Sequence, residues 1–240
     1  MENKNGESDK PHWSSRNDFD EGIRDALRLG SSSGRDAANT GSDVLMGIMI
    51  AAPVVDSFAT LGMRDGRWDA VWQTEMINLE SFTFTSLASS LLQNLVARER
   101  PLARDCGREA CGGDEINRSM PSGHVAFAFT GAGLLCTHHA YHSLYADPGA
   151  ERALCATGLA AATAEGFLRV MSDRHYATDV LAGTGIGLFS GFLLPRLLHY
   201  YWPQQPAQQS ERDRQAFFKE MAVTPQIYGD GGGLSFTATY

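Results

Sequence analysis

Positive charge is scarce in this sequence. Twenty Lys and Arg residues stand against 28 Asp and Glu, for a formal net charge of -8. General nucleic-acid binding needs a basic surface and is therefore not expected. A phosphorylated substrate remains compatible, because a few local arginines set the field of one pocket. Strand signals are nearly absent outside the last residues, which argues against a sheet-built fold. There is no internal repeat. Met1 to Lys10 is polar without an apolar core, so no signal peptide is expected there. Disorder is also not expected overall, since 43% of residues are hydrophobic and 20% charged.

The two ends differ from the middle. Residues 1–42 read as a polar tail, within which Phe19, Ile23 and Leu27 recur at four-residue spacing. That pattern predicts a short amphipathic helix. Residues 203–240 read as a second polar tail, with Leu234 to Tyr240 alternating like a lone strand. Between them, residues 43–202 hold five apolar, helix-like segments: about Val44–Met63, interrupted by Pro53 and Asp56; Phe82–Ala97; Ser122–Tyr145; Ala153–Met171; and Thr178–Leu198. The expected fold class is an all-α helical bundle of about five core helices.

A membrane-spanning helix needs about 20 mainly apolar residues. The first and fifth segments approach that length, and the others are shorter or more polar. Gly183, Gly187 and Gly191 share one face of the fifth segment, a flat surface of the kind on which membrane helices pack closely. A membrane-embedded bundle is therefore expected. Gly183, Gly185 and Gly187 do not form a dinucleotide loop, since no strand precedes them.

Three clusters carry candidate chemistry. Arg98-Glu99-Arg100-Pro101 closes the second segment, where proline stops a helix and presents the arginines at its mouth. Pro121-Ser122-Gly123-His124 opens the third segment, where a helix start leaves backbone N–H groups for an anion. Arg169, His175 and Asp179 surround the start of the fifth. His175 and Asp179 lie one turn apart, so the carboxylate is placed to orient the imidazole.

In order and context these clusters resemble the superfamily joining type 2 phosphatidic acid phosphatases, bacterial nonspecific acid phosphatases and vanadium haloperoxidases. That family's pattern is Lys, six residues, Arg-Pro; then Pro-Ser-Gly-His; then Ser-Arg, five residues, His, three residues, Asp. This chain reads Gln93 to Arg100-Pro101, Pro121 to His124, and Leu168-Arg169 to His175 and Asp179. Leu168 replaces the serine and Gln93 replaces the lysine. A neutral amide brings no charge to phosphate, and Arg98 or Arg104 are candidates to compensate.

The resemblance implies a metal-independent acid phosphatase acting on a lipid phosphate or small phosphate ester, with no cofactor. His175 is then the nucleophile, Asp179 its orienting carboxylate and His124 the general acid and base. Arg100, Arg169, Ser122, Gly123 and Gln93 form the phosphate cradle. A protonated His124 implies a mildly acidic optimum. The active-site side is expected to face the periplasm or exterior, with a soluble periplasmic location as the alternative. Two other functions fit the same residues: a haloperoxidase holding vanadate on His175, and a degenerate, non-enzymatic phosphate binder marked by Gln93.

Among the remaining features, Cys106 and Cys111 are spaced for a short-loop disulfide, which would indicate an oxidising compartment. Cys136 and Cys155 lie on apolar segments and read as small core residues. His138 and His142 lie one turn apart without an evident third ligand, so no metal site is expected.

Overall fold

The computed structural model describes Trp13, residues 17–105 and 113–200, and the backbone of residues 221–228 and 231–238. Among the described residues the bundle is made by α1 (Asp18–Leu27), α2 (Ser32–Ser57), α3 (Trp68–Val96), α4 (Gly123–His142), α5 (Pro148–Met171) and α6 (Ala177–Leu188). Wider π-type turns extend α2 over Phe58–Arg64 and follow α6 over Phe189–Leu193 and Arg196–Tyr200. Residues Met1–His199 form one compact unit and Tyr200–Tyr240 another. In the second, β1 (Met221–Tyr228) pairs antiparallel with β2 (Gly231–Ala238), Met221 opposite Ala238. The expected lone strand is thus one arm of a hairpin.

Local signals account for most helix starts. Asn17 caps α1 by accepting from the Asp20 N–H at 2.8 Å. Ser31 caps α2 and Asp147 caps α5, where Pro148 occupies the first turn. Two boundaries differ from expectation. α2 starts at Ser32, well inside the stretch read as tail, and runs through Pro53 without a break. α3 starts at Trp68, so much of what reads as a polar loop is helix.

The reason is visible in how α3 is turned. Apart from Ala70, Val71 and Ile77 its buried stripe is polar, with Thr74, Asn78, Ser81, Thr85 and Ser89, while Trp72, Leu79, Leu87, Leu91 and Leu95 point outward. Thr85 is 0% exposed and Leu87 67%. A helix with hydroxyls inside and leucines outside is inverted relative to a water-soluble fold and matches a hydrocarbon surround. Inside, the Thr85 and Thr130 hydroxyls lie 2.8 Å apart, one donating to the other while the accepting hydroxyl donates to a carbonyl of its own helix.

Three helical stretches among the described residues are long and apolar enough to cross a membrane: Ser32–Arg64, Pro148–Met171 and Ala177–Tyr200. The first and third match the first and fifth sequence segments. Pro148–Met171 joins them, in contrast to the expectation that it is too polar. The bundle is membrane-embedded, and α4 is its axis, packed against α2, α3, α5 and α6. The core gathers Met49 from α2, Val125, Ala128, Phe129 and Ala132 from α4, and Ala162 from α5.

Small residues set the distances around that axis. A Cβ on Gly183 would stand 2.4 Å from the Ser122 carbonyl oxygen, one on Gly187 2.5 Å from Phe129 Cβ, and one on Gly191 2.4 Å from the Thr130 oxygen. The glycine face is thus the contact of the last helix with α4. Gly158 of α5 faces Ala132 of α4 with more room, since a Cβ there would lie 3.6 Å from the Ala132 Cα. That approach brings Cys136 and Cys155 into a disulfide, with Cα atoms 4.6 Å apart. The two cysteines are therefore bonded, not free core residues. The Cys106–Cys111 pairing lies outside the described residues.

Gly183 sits directly under the second chemical cluster. Gly183→Ala must push α6 from Ser122, and overpacking of this kind costs about 1–3 kcal/mol. The variant is expected to melt at lower temperature in detergent and to lose activity, whereas Gly185→Ala, which meets open space, should melt like the parent.

Candidate active site

The three clusters meet at one end of the bundle. α3 ends at Val96 because Ala97 adopts a left-handed conformation (φ 43°), which any residue with a Cβ rarely does. The chain then leaves the helix axis and is stitched down. Arg98 O accepts from Ser119 N at 3.0 Å, Arg100 N donates to Ile116 O at 2.8 Å, and Leu102 N donates to Asp173 O at 3.1 Å. These bonds bring the Arg98–Pro101 loop, the segment before α4 and the turn before α6 together.

His175 is at the centre, 2% exposed. Its Nδ1 donates to the Ser119 carbonyl at 2.7 Å, since a carbonyl can only accept. That fixes the tautomer and leaves Nε2 with its lone pair free. Asp179 Oδ2 lies 3.8 Å from Nδ1, too far for a hydrogen bond. The carboxylate orients the imidazole through Ser119 instead of directly as the helical spacing implied. Ser119 Oγ donates to Asp179 Oδ2 at 2.6 Å, Tyr176 N donates to the same oxygen at 2.9 Å, and Arg98 Nη1 donates to Oδ1 at 2.6 Å. Burial pushes the His175 pKa down to about 3, and the charges on Arg100 and Arg169 reinforce this against the pull of Asp179.

Among the described residues, a set of buried donors near this turn has no partner. They are the Nε atoms of Arg100, Arg118 and Arg169 and the Oγ of Ser122. Ser122 precedes α4 in the N-cap position yet makes no side-chain cap, so its hydroxyl is available. Arg100 and Arg169 both act electrostatically on His175, and Arg118 and Arg174 act on Arg100. Arg100 makes only a long contact with Glu115, 3.7 Å from Nη2, and burial holds its pKa below the usual guanidinium range. Arg169 is held from the other side: Nη1 donates to Asn39 Oδ1 at 3.1 Å and to Ser42 Oγ at 3.2 Å, and Ser42 in turn donates to Glu165. Unsatisfied buried donors are costly, and a cluster of them with net positive charge is matched by an anion with several acceptor oxygens.

The second histidine is paired as well. His124 lies in the first turn of α4, and its Nε2 is 2.9 Å from Asp43 Oδ1. Asn39 Nδ2 donates to the other oxygen of Asp43 at 3.2 Å. Sequence reasoning missed Asn39 and Ser42, which lie on α2 within the stretch read as tail, and Asp43, which follows them at the first position of the expected bundle. It also missed Ser119, Arg118 and Arg174. The run Asn39, Ser42, Asp43 just ahead of an apolar segment was the one available signal.

Gln93 is near the cluster but differently employed. Its Nε2 donates to the Pro121 carbonyl at 2.9 Å and lies against Gly123. It braces the Pro121–His124 segment. Neither expected substitute for the missing lysine faces the cradle. Arg98 is turned to Asp20 and Asp179, and Arg104 to Glu21. Arg118 and Arg174 are the further cations that act on Arg100. Elsewhere, His138 Nε2 bonds Asn78 Oδ1 at 2.8 Å, and among the described residues no His, Cys, Asp and Glu grouping is arranged to hold a metal ion.

The pattern of the PAP2 superfamily matches residues 75–203, more than half of the chain and all three clusters but not Asp43. The chain belongs to that superfamily. Among solved structures it is similar to a transmembrane PAP2 type phosphatidylglycerolphosphate phosphatase from Bacillus subtilis. The identity is 18% and the TM-score 0.51, over 78% of this chain and 95% of that one. No curated protein matches. The family and the shared membrane fold support a phosphatase in general terms.

Proposed function

We propose that this chain hydrolyses a lipid phosphate monoester through a phosphohistidine on His175. The observation that carries the reading is the set of donors unpartnered among the described residues, on Arg100, Arg118, Arg169 and Ser122, with Arg100 and Arg169 acting on an imidazole whose Nε2 is free. Three arginine forks and a hydroxyl suit the nonbridging oxygens of a phosphoryl group. Nε2 attacks phosphorus, and the P–O bond to the leaving alkoxide breaks as the P–N bond forms. His124, paired with Asp43, gives its proton to the leaving oxygen. Neutral again, it takes a proton from water, which attacks phosphorus and releases phosphate and free His175. Positioned proton transfer contributes about 10²–10⁴-fold. The guanidinium field, acting where charge develops, is the larger contribution.

A lipid is favoured over a soluble ester by what surrounds the site. A cavity of about 370 Å³ lies beside it, lined by Phe19, Ile23 and Leu27 of α1 and by Phe167, Val170, Ala177 and Leu181. Val170 adjoins Arg169 in sequence and Ala177 is two residues from His175, so the helices that line this apolar cavity also carry residues of the site. The test is phosphate release from phosphatidate, an isoprenyl diphosphate and p-nitrophenyl phosphate by the purified chain in detergent. A preference for p-nitrophenyl phosphate over both lipids would contradict the lipid assignment.

Two further outcomes follow. Gln93→Lys adds a cation beside Gly123, and a charge-assisted bond is roughly twice as strong as a neutral one. Inhibition by inorganic phosphate should tighten several-fold without loss of kcat. An unchanged inhibition constant would place residue 93 outside the cradle.

The pH dependence has two sides. The His175 pKa is lowered from 6.5 to about 3, so the nucleophile stays neutral through the acidic range. Burial and the charge of Arg169 lower the His124 pKa from 6.5 to about 4 against the pull of Asp43. Activity per folded molecule should therefore be highest in the acidic range and fall as pH rises, because His124 must be protonated to donate. Stability runs the other way. Below 6.5 the unfolded chain binds a proton that the fold excludes until about 3, so stability is full above 6.5 and is lost as pH falls across that window. Melting temperature and kcat measured together from about pH 4 to 9 check both. A kcat that stays flat to the alkaline end would remove His124 from the acid role.

A further inference from the structure

We propose that α1 is a positioning element of the active site: Asp20, acting through Arg98, holds Asp179, and with it the Ser119 carbonyl and the reactive tautomer of His175. The inference rests on His175 being the nucleophile.

The helix reads as amphipathic, and its buried residues, Asp20 and Arg24, are on the polar side. Phe19 is 54% exposed and Asp20 0%. Asp20 Oδ2 accepts from Arg98 Nη2 at 2.7 Å and from Thr178 Oγ1 at 2.7 Å, while Oδ1 accepts from the Thr178 backbone N–H at 2.8 Å. Thr178 is the second residue of α6, so Asp20 caps from outside the helix that carries Asp179. A carboxylate there also meets the positive end of the helix dipole. Burial alone would raise the Asp20 pKa, and the bonds from Arg98 and Thr178 outweigh it and keep the group charged.

Arg98 completes the connection. It is 2% exposed, and its guanidinium carbon lies 4.5 Å from the Trp13 ring centre and 4.2 Å from that of Tyr176. Between these rings its fork spans two carboxylates, Asp20 on one side and Asp179 on the other. Lysine has no such planar fork and cannot make both bonds in this geometry.

The other end of the same turn is gripped by the same helix. Arg24 Nε and Nη2 donate to Asp173 at 2.6 and 2.7 Å, and Arg28 Nε donates to it at 2.9 Å. Asp173 and Thr178 flank His175 in sequence. α1 therefore holds the His175 turn on both sides, and a small displacement of a reacting group costs far more rate than affinity.

Steady-state kinetics of Asp20→Asn, Arg98→Lys and their double variant, beside the parent and His175→Ala, test this. Each single variant should lose about 10²-fold in kcat, with KM nearly unchanged and the melting transition retained. The double variant should lose no more than the worse single, because both act on one connection. Additive losses, a change in KM alone, or a kcat per folded molecule equal to the parent's would overturn the proposal. If the parent releases no phosphate the phosphatase reading fails by itself, and if His175→Ala matches an active parent the phosphohistidine step does. The positioning claim is then read from the ¹⁵N signals of the His175 ring in micelles, assigned by their loss in His175→Ala. Nδ1–H should be the protonated site in the parent and lose that preference in Asp20→Asn. The same tautomer in both would overturn it.

Discussion

His175→Ala will abolish phosphate release while leaving the bundle folded. The imidazole is the one group in the cluster that combines a free lone pair with a cradle of donors around it. Removing a nucleophile costs on the order of 10³-fold or more, since both chemical steps pass through it. The protein should tolerate the loss. His175 is buried and neutral, so alanine removes no buried charge. Phosphate release and thermal melting of the purified variant in detergent check both halves. Residual turnover within about tenfold of the parent would show that water attacks phosphorus directly, with the arginines alone as catalyst.

The second large effect is expected at Arg169. Its guanidinium is 2% exposed, held by Asn39 and Ser42 on one side and left unpartnered at Nε on the other. Arg169→Gln keeps a donor but removes the charge facing His175 and the transferring phosphoryl group. Loss of one preorganised donor of this kind costs about 10²–10³-fold in kcat. Arg169→Lys should recover little, because an ammonium cannot reproduce the fork that joins α2 to the cradle. A variant with unchanged kcat and raised KM would make Arg169 a binding group only.

Much of this site is legible in the sequence because its groups sit at helix ends, where local signals are strong. Pro121-Ser122-Gly123-His124 opens α4 and His175 lies just ahead of α6, as their patterns imply. The glycine face was legible for a similar reason, since a close approach leaves room for nothing larger. The rest depended on long-range pairing. Asp43 and Ser42 reach His124 and Arg169 from α2, and no spacing rule connects positions so far apart. Ser119 acts through its backbone carbonyl, which any residue supplies. The geometry of Asp179 was half legible: its helical offset from His175 is right, but the turn places it 3.8 Å away and puts Ser119 between them. α3 was underestimated because its polar residues face inward, so the hydropathy pattern is that of an inverted helix. The Cys136–Cys155 bond needed the α4–α5 approach at Gly158, which neither cysteine announces.

The central claim is that a phosphoryl group passes through His175, and trapping that intermediate tests it most directly. The chain in detergent would be mixed with a ³²P-labelled lipid phosphate, quenched within one turnover in base, and its label followed. The account predicts protein-bound label that survives base and is released by acid, as a phosphoramidate is. It also predicts that the label is absent from His175→Ala and accumulates in His124→Ala when the leaving group is good enough to depart unprotonated. Phosphate released with no label ever trapped, or label that persists in His175→Ala, would contradict it.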